Sequence, residues 1–345
     1  MRRLHRYYFS EVLLSSALTF CVLFGVLTVS LVYRGIDKAQ GGGLIDAVVI
    51  TMLWTIDAFP DVLGIALLFG TIATFARAAA DREITAIMAA GLSLRLPVEA
   101  ALLVGLPIAA LGGLCQHYLI PWAHYYKFRV VAEAMREFLI HTRPTGDQMT
   151  LDDFAMTWDR EEGGHFRDVV LFVRDEVLLA ESAWFEVEND TVSLRMRAVQ
   201  NPANGLSVEA PTLSRDLREM GTPGRRSDDD RDVTSDRLLA EVYRGGHPNP
   251  NGAGYTLHRR SCYALLPCLL VPIGVCIGVM ARERGRATAM ALGLIPVMCF
   301  YAADFIGLQL VRQWNHPLMS VLSGYLPTIV LLVGGVPFCW RTLRS

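Results

Sequence analysis

Six long apolar segments alternate with polar stretches along the chain. They cover residues 12–32, 48–76, 97–118, 262–280, 287–311 and 318–340. Each is long enough to cross about 30 Å of hydrocarbon, for which roughly 20 apolar residues suffice. The pattern therefore predicts a polytopic α-helical membrane protein with six transmembrane helices in two groups of three.

The polar stretch between the third and fourth segments is too long to be a simple loop. Three of its segments, FRDVVLFVRD, ESAWFEVEND and TVSLRMRAV, are rich in branched and aromatic residues and are bounded by turn residues, which predicts antiparallel strands. We expect residues 1–121 to form helices 1–3, 122–258 an inserted all-β domain of sandwich or open-barrel type, and 259–345 helices 4–6. Within the insert, residues 221–232 predict a solvated linker, and TSDRLLAEVYR predicts a short helix capped by Thr234 or Ser235.

The loop between the second and third segments, DREITAIMAAGLSLR, predicts a short amphipathic helix over residues 81–92. Its apolar positions recur at helical spacing on one face: Ile84, Ile87, Met88 and Leu92. Asp81 is the candidate N-cap, Glu83 lies in the first turn where the helix dipole favours an acid, and Gly91 is the candidate terminator. An interfacial connector with no partner is the alternative interpretation.

Composition supports the membrane assignment, and charge gives its orientation. Of the 345 residues 52% are hydrophobic and 19% charged, and the mean hydropathy is +0.33. Short loops on the cytoplasmic side carry an excess of Arg and Lys. Eleven arginines lie at the termini and in two loops on one side: Arg2, Arg3, Arg6, Arg77, Arg82, Arg95, Arg282, Arg284, Arg286, Arg341 and Arg344. Both termini are therefore predicted to be cytoplasmic and the inserted domain to lie outside.

The length of the first apolar segment and the positions of the cysteines exclude two further classes of protein or site. A cleaved signal peptide is the alternative for the first segment, but its apolar run is too long and no A-x-A site follows it. All seven cysteines fall in or at the edge of apolar segments, which excludes a disulfide framework or zinc site in the inserted domain.

The sequence lacks the signatures of several catalytic sites. A P-loop needs a lysine followed by Ser or Thr, but the two lysines are Lys38, followed by Ala39, and Lys127, followed by Phe128. Work driven by a nucleotide would therefore require a partner. HExxH, paired CxxC and GxSxG motifs are also absent from the sequence. We expect a non-catalytic protein without cofactor, metal or nucleic-acid partner.

Three aspartates lie within the apolar segments. Charged groups there are costly and are functional candidates by default. Asp57 and Asp61 share one helix face around Pro60, either at the outer interface or in a functional site, while Asp304 faces a cavity or a neighbouring helix. A polar packing contact and a transport role both remain open for Asp304. An intramembrane enzyme using these carboxylates is a further alternative.

Several motifs in a fixed order resemble the LptF/LptG (YjgP/YjgQ) family, the permease subunits of the lipopolysaccharide export ABC transporter. They are RAAADREITAIMAAGLS, LLAESAWFEVEND, LHRRSCYALLPCLLVPIGV, FYAADFIG and GYLPTIVLL. The resemblance implies a periplasmic β-jellyroll, the bacterial inner membrane, and extraction of a glycolipid towards a periplasmic bridge protein. It also implies a second six-helix permease subunit and a cytoplasmic ATPase dimer as partners.

The resemblance also assigns roles to individual residues. The helix over residues 81–92 matches the family's coupling helix, with Glu83 carried over to the ATPase contact. Arg34 matches a basic position that would meet the phosphates of the lipid headgroup, with Lys38 one turn further and Arg259 and Arg260 bordering the same cavity. A membrane-anchored periplasmic binding or assembly protein without transport activity is the alternative function.

Overall fold

The computed structural model describes residues 2–38, 44–127, 130, 148–151, 154–173, 176–188, 191–200, 207–208, 212–216 and 230–344. These divide into two units. The first comprises residues 1–31, 53–124 and 229–345, and the second comprises residues 32–52 and 125–228.

Helices make up most of the described chain. The first half contains α1 (Arg2–Lys38), α2 (Leu44–Ala80), α3 (Glu83–Ala89) and α4 (Arg95–Leu114), and α4 continues through a π-helical turn at Cys115–Leu119. After the strands come α5 (Ser235–Tyr243), α6 (Pro250–Arg284), α7 (Arg286–Leu292), α8 (Leu294–Gln313) and α9 (Pro317–Arg344).

Six stretches of the described chain are long and apolar enough to cross a membrane: Arg3–Ile36, Ala47–Ala80, Arg95–Lys127, Pro250–Met280, Arg286–Gln313 and Pro317–Thr342. Each contains one predicted segment, and most extend beyond it by several residues. The start of the fourth differs most, because its helix begins at Pro250 rather than near residue 262. Polar residues such as Asn251 and Arg259 continue the helix without adding to its hydropathy, so an apolar pattern cannot show where it starts.

Two apolar clusters hold the helices of the first unit together. One gathers buried residues of α1 to α4 and α6 around Tyr8, Phe75 and Ala100. The other joins α2 and α6 to α9 around Ile72, Leu270 and Phe300. Because large apolar residues also cover the outside of the helices, for example Leu14, Leu18 and Val22 on α1, the exposed surface of these helices suits hydrocarbon.

Glycine allows close helix contacts within the first unit. A Cβ atom at Gly307 of α8 would lie 2.5 Å from the backbone oxygen of Ser323 in α9. Close backbone approach through small residues is how membrane helices gain packing energy.

We expect Gly307→Ala to lower the free energy of unfolding by about 1–3 kcal/mol, as overpacking of a filled interface does. Chemical unfolding in detergent measures the change. Gly25→Ala is the matched control, since a Cβ there meets nothing within 4 Å. Equal stability of the two variants would contradict the close α8–α9 contact.

The second unit contains the antiparallel sheet. Its described strands are β1 (Gln148–Leu151), β2 (Phe154–Thr157), β3 (Arg160–Glu162), β4 (His165–Val173), β5 (Glu176–Glu188), β6 (Thr191–Gln200), β7 (Ser207–Val208) and β8 (Thr212–Asp216). The order is β1-β2-β4-β5-β6-β7, with β3 on β4 and β8 on β6, and every pairing is antiparallel. The strands predicted from sequence are confirmed as β4, β5 and β6, while the jellyroll class stays a prediction.

Pairing in this sheet breaks along one line across three strands. Arg167 pairs with Ser182 and Val169 with Ala180, but Asp168 and Glu181 are skipped. Ala198 is skipped in the same way on β6. Asp168 and Ala198 both have positive φ, at 52° and 55°, which reverses the alternation of side chains at this line. Buried residues on either side of it are therefore three positions apart, as are Phe166 and Val169.

The short helix α5 follows the insert. Its N-cap is Thr234, as predicted, although no side-chain capping hydrogen bond is made. A hydrogen bond with the Thr234 hydroxyl instead lowers the pKa of Asp236, in the first turn, below its usual range. Of the predicted linker, residues 221–229 lie outside the described part of the chain, and Asp230–Asp232 form a 3-10 turn.

Candidate functional site

The short helix α3 lies in the loop between the second and third candidate spans, where the sequence predicts it, but it begins later. Asp81 is not its N-cap. The backbone N–H of Asp81 donates to Arg77 O (2.9 Å) and that of Arg82 to Ala79 O (3.2 Å), so both residues prolong the last turn of α2. Arg82 is the N-cap, with φ at 61° and no side-chain capping bond. A left-handed backbone is uncommon for a residue with a side chain, so this corner stores strain.

The end of α3 follows the prediction. Gly91 has φ at 72°. Its N–H donates to Met88 O (2.9 Å), and the next N–H, of Leu92, donates to Ile87 O (3.1 Å). These two bonds form a Schellman motif, in which glycine supplies the left-handed residue. The role of Gly91 as terminator is therefore confirmed.

The two faces of α3 have different environments. Ile84 and Ile87 are buried in the first apolar cluster, beside Tyr8 of α1 and Phe75 of α2. Met88, predicted to share their face, is 42% exposed. The helix therefore binds the bundle by its two isoleucines and presents Met88 with its alanines outward.

Glu83 is bound within the chain. Tyr7 donates from its hydroxyl to Oε1 and Tyr8 to Oε2, each at 3.2 Å. Arg77 of α2 contacts the same part of α1. Its Nη2 atom donates to Oε2 of Glu11 (2.8 Å) and to the Tyr7 hydroxyl (3.3 Å). These five residues, which we call the Glu83 cluster, join α1, α2 and α3 at the end of the bundle where α1 begins.

A groove of about 550 Å³ runs between the start of α1 and α3. Its lining is mostly apolar and consists of Arg3, Leu4, Tyr7, Ala86, Ile87, Ala90 and Leu92. Asp81, at the corner before α3, is exposed and lies 3.8 Å from Arg286 of α7. The corner thus contacts α7 as well as carrying the start of α3.

A second polar cluster lies inside the candidate spans. Arg259 of α6 forms a bidentate ion pair with Asp304 of α8, from Nε to Oδ1 and from Nη2 to Oδ2, both at 2.7 Å. The Tyr263 hydroxyl donates to Oδ2 of Asp304 (3.0 Å), and the Arg259 guanidinium lies 4.9 Å from the Tyr263 ring centre. Asp304 therefore faces a neighbouring helix, and its partner is one of the arginines considered for the lipid headgroup.

The other two intramembrane carboxylates differ from each other. Asp61 lies within electrostatic range of Arg259, Asp57 and Asp304, and its Oδ1 atom is shielded from solvent without a hydrogen-bond partner among the described residues. Asp57 has its Oδ2 atom 3.2 Å from Nε2 of His124. The other ring nitrogen of His124 is 3.6 Å from Asp232. This histidine thus connects α2 to the segment that precedes α5.

Arg260 anchors the same segment. Its side chain is buried, and Nη1 donates to Val233 O and Ser235 Oγ, both at 2.9 Å. Nη2 donates to the backbone oxygens of Asp230 (3.0 Å) and Arg231 (3.3 Å). The Arg260 guanidinium therefore provides hydrogen-bond donors to three backbone oxygens in the turn that precedes α5.

Comparison with known proteins identifies the class. The family model described as lipopolysaccharide export system permease LptF/LptG matches residues 6–341. The chain belongs to the LptF/LptG family. A comparison with curated protein sequences found no match. The resemblance inferred from the motifs is thereby confirmed, and membership in this permease family together with the six apolar helices indicates a multi-pass protein of the bacterial inner membrane.

The headgroup-binding residues suggested by the LptF/LptG resemblance are not brought together in one described unit. Arg34 is exposed on α1 within the second unit, and the side chain of Lys38 lies outside the described residues. Arg259 and Arg260 belong to the first unit and have the partners given above. A phosphate contact by any of the four stays a prediction.

Sequence reasoning missed the partners of Glu83 in this LptF/LptG chain. Tyr7 and Tyr8 lie in the second turn of α1, and Glu11 follows Tyr7 by one helical turn, which places Tyr7 and Glu11 on one face. The sequence shows that spacing. It does not show that the two tyrosines contact Glu83, more than 70 residues later.

Proposed function

We propose that this chain is a permease subunit of an ABC transporter that extracts lipopolysaccharide or a related glycolipid from the inner membrane, and that α3 is its contact with the ATPase. The observation that carries the proposal is the seating of α3. Two isoleucines fix it to the bundle while Met88 and the neighbouring alanines remain exposed. A chain without a P-loop needs such a surface to receive work from an ATPase.

Charge supports the cytoplasmic orientation of this surface. The described arginines near α3 include Arg3, Arg77, Arg82 and Arg95, and arginine in short loops marks the cytoplasmic side. Both termini then lie in the cytoplasm, and the sheet of the second unit lies in the periplasm, where it would hand the lipid to a jellyroll bridge protein.

Exposed apolar surface supports pairing with a second six-helix subunit. The most apolar window of the first candidate span is only 11% buried, against 72% for the second. Its outward residues include Leu14, Leu18 and Val26. A helix so thinly packed within its own chain is suited to line an interface with another bundle and the cavity between them.

We expect Met88→Arg to reduce recovery of a co-purifying ABC ATPase from mild detergent by about tenfold or more, since changing a hot-spot residue of an interface costs about 2 kcal/mol or more. Leu239→Arg on α5 is the control, because Leu239 is similarly exposed at 47% but lies far along the chain from α3. Membrane insertion should be normal in both. If no ATPase accompanies the unmodified protein, the anchor or assembly function is favoured instead.

A further inference from the structure

The 3-10 turn Asp230–Asp232 and the helix α5 lead the chain from the inserted sheet to α6. Side chains of the candidate spans hold this turn in two ways. Arg260 of α6 donates to its backbone oxygens, and an arginine keeps its charge at every pH of interest. His124, near the end of the third candidate span, contacts the side chain of Asp232. The second attachment therefore depends on a group that can lose its charge.

The ring of His124 lies between two carboxylates. Its Nε2 atom is 3.2 Å from Oδ2 of Asp57 on α2, and its Nδ1 atom is 3.6 Å from Oδ1 of Asp232 in the turn. An ionised carboxylate only accepts, and a histidine carries a proton on both nitrogens only in its charged form. The side chains of His124 and Asp232 are 11% and 7% exposed, so little water replaces this contact. The charged ring is therefore the form that serves both carboxylates at once.

Other charged residues lie in the parts of the elements that meet near this turn. They are Lys127 on the helix of His124, Asp61 on α2, Asp230 and Arg231 in the turn, and Arg259 and Arg260 on α6. Arg259 pairs with Asp304, and Asp230 lies 2.7 Å from His247. The two groups that the structure shows in contact with the ring of His124 are both acids.

His247, which follows α5, is the opposite case. Its Nδ1 atom accepts from the backbone N–H of Asn249 (2.9 Å), so this nitrogen carries no proton. The single proton of the ring is then on Nε2 and is donated to Oδ1 of Asp230 (2.7 Å). The contacts of His247 are thus those of a neutral ring, whereas the contacts of His124 are those of a charged one.

We propose that the contact of His124 with Asp57 and Asp232 is a pH-sensitive attachment of this turn to α2, made when the ring is charged and weakened when it is neutral. Histidine changes its charge between about pH 5 and 8, so the attachment is complete in acid and is lost as the pH rises. Arg260 holds the turn on α6 at every pH, so the histidine changes how firmly the turn is held without deciding the fold. In the orientation proposed for the chain, this end of the bundle lies on the periplasmic side.

The test is hydrogen–deuterium exchange of the turn and α5 in the full-length protein in detergent, at about pH 5.5 and about pH 8. Rates are corrected for the intrinsic effect of pH on amide exchange. We expect these amides to exchange about tenfold faster at the higher pH, the lower end of the effect of losing a hydrogen bond to a charged group. His124→Gln keeps a donor but carries no charge, so it should exchange at the faster rate at both pH values.

A second variant approaches the same contact from the turn. Asp232→Asn preserves the size of the side chain and removes its charge, and it should reduce the difference between the two pH values to about twofold or less. His316→Gln is the control, because His316 is exposed and its Nδ1 atom accepts from the backbone N–H of Leu318 (3.2 Å). This control should keep the full pH difference.

An undiminished pH difference in His124→Gln or in Asp232→Asn would overturn the proposal. Equal exchange of the unmodified protein at the two pH values would overturn it as well. Exchange in α8 and α9 shows whether each variant is folded. The measurement needs neither an ATPase nor a transported lipid, so its result is independent of the proposed function.

Discussion

Replacing Asp304 by Asn should lower the free energy of unfolding by about 3 kcal/mol, the lower end of the range for removing one partner of a buried ion pair. The carboxylate accepts two bonds from Arg259 and one from Tyr263. Its side chain is 13% exposed and that of Arg259 is 37% exposed, which places the effect at the lower end because some water reaches the arginine. Without Asp304 the guanidinium keeps its charge between two helices.

Unfolding by denaturant in detergent measures this change. Asp81→Asn is the matched control, since Asp81 is 53% exposed and lies 3.8 Å from an exposed Arg286, and such surface pairs contribute about 0–1 kcal/mol. Arg259→Leu/Asp304→Leu should recover most of the loss, because removing both charges leaves neither unpaired. A double variant as unstable as Asp304→Asn would show that the pair itself, rather than the unpaired arginine, sets the stability.

The helices and strands could be predicted from the sequence because they depend on local patterns. Apolar length is enough to locate a candidate span, and the glycine that ends α3 acts through its own backbone. The start of α3 depended on more than its own residues. Asp81 and Arg82 were drawn into the last turn of α2, whose carbonyls at Arg77 and Ala79 accept their N–H groups.

In the sheet, the alternation of buried and exposed side chains along a strand is interrupted. Phe166 and Val169 are both buried although they are three residues apart, because the residue between them with positive φ, Asp168, reverses the alternation. Buried residues have the same three-residue spacing on the neighbouring strands, at Ala180 and Ala183, where Glu181 is skipped in the pairing, and at Met196 and Val199, where Ala198 has positive φ. An alternation rule applied along the whole strand would place half of each strand with the wrong face inward.

Pairings between distant residues could not be predicted from one sequence. Asp304 and Arg259 were both recognised as unusual charges, but in separate roles, because nothing in a single chain links residues 45 positions apart. The tyrosines that hold Glu83 carry no charge and drew no notice. Charge patterns identify costly groups, while only packing shows which group offsets the cost.

Replacing Arg260 by Lys should also lower stability by about 3 kcal/mol, since buried backbone groups left without partners cost about 1–3 kcal/mol each. Arg260 is 6% exposed and its two terminal nitrogens serve three carbonyls and one hydroxyl. A lysine is a single point with three donors and cannot reproduce the planar fork. The loss should be concentrated in α5 and the turn before it, where hydrogen–deuterium exchange should rise by about 100-fold.

The same variant distinguishes the two roles considered for Arg260. Lysine keeps the positive charge and also binds phosphate, as a point charge, so a headgroup contact that depends on charge would survive the change and the exchange of α5 would not move. An anchoring role predicts the opposite: fast exchange in α5 with the spans still inserted. Arg244→Lys is the control, since Arg244 is exposed at the end of α5. Because an exposed arginine loses little on this replacement, a rise in exchange confined to Arg260→Lys would assign its fork to the main chain.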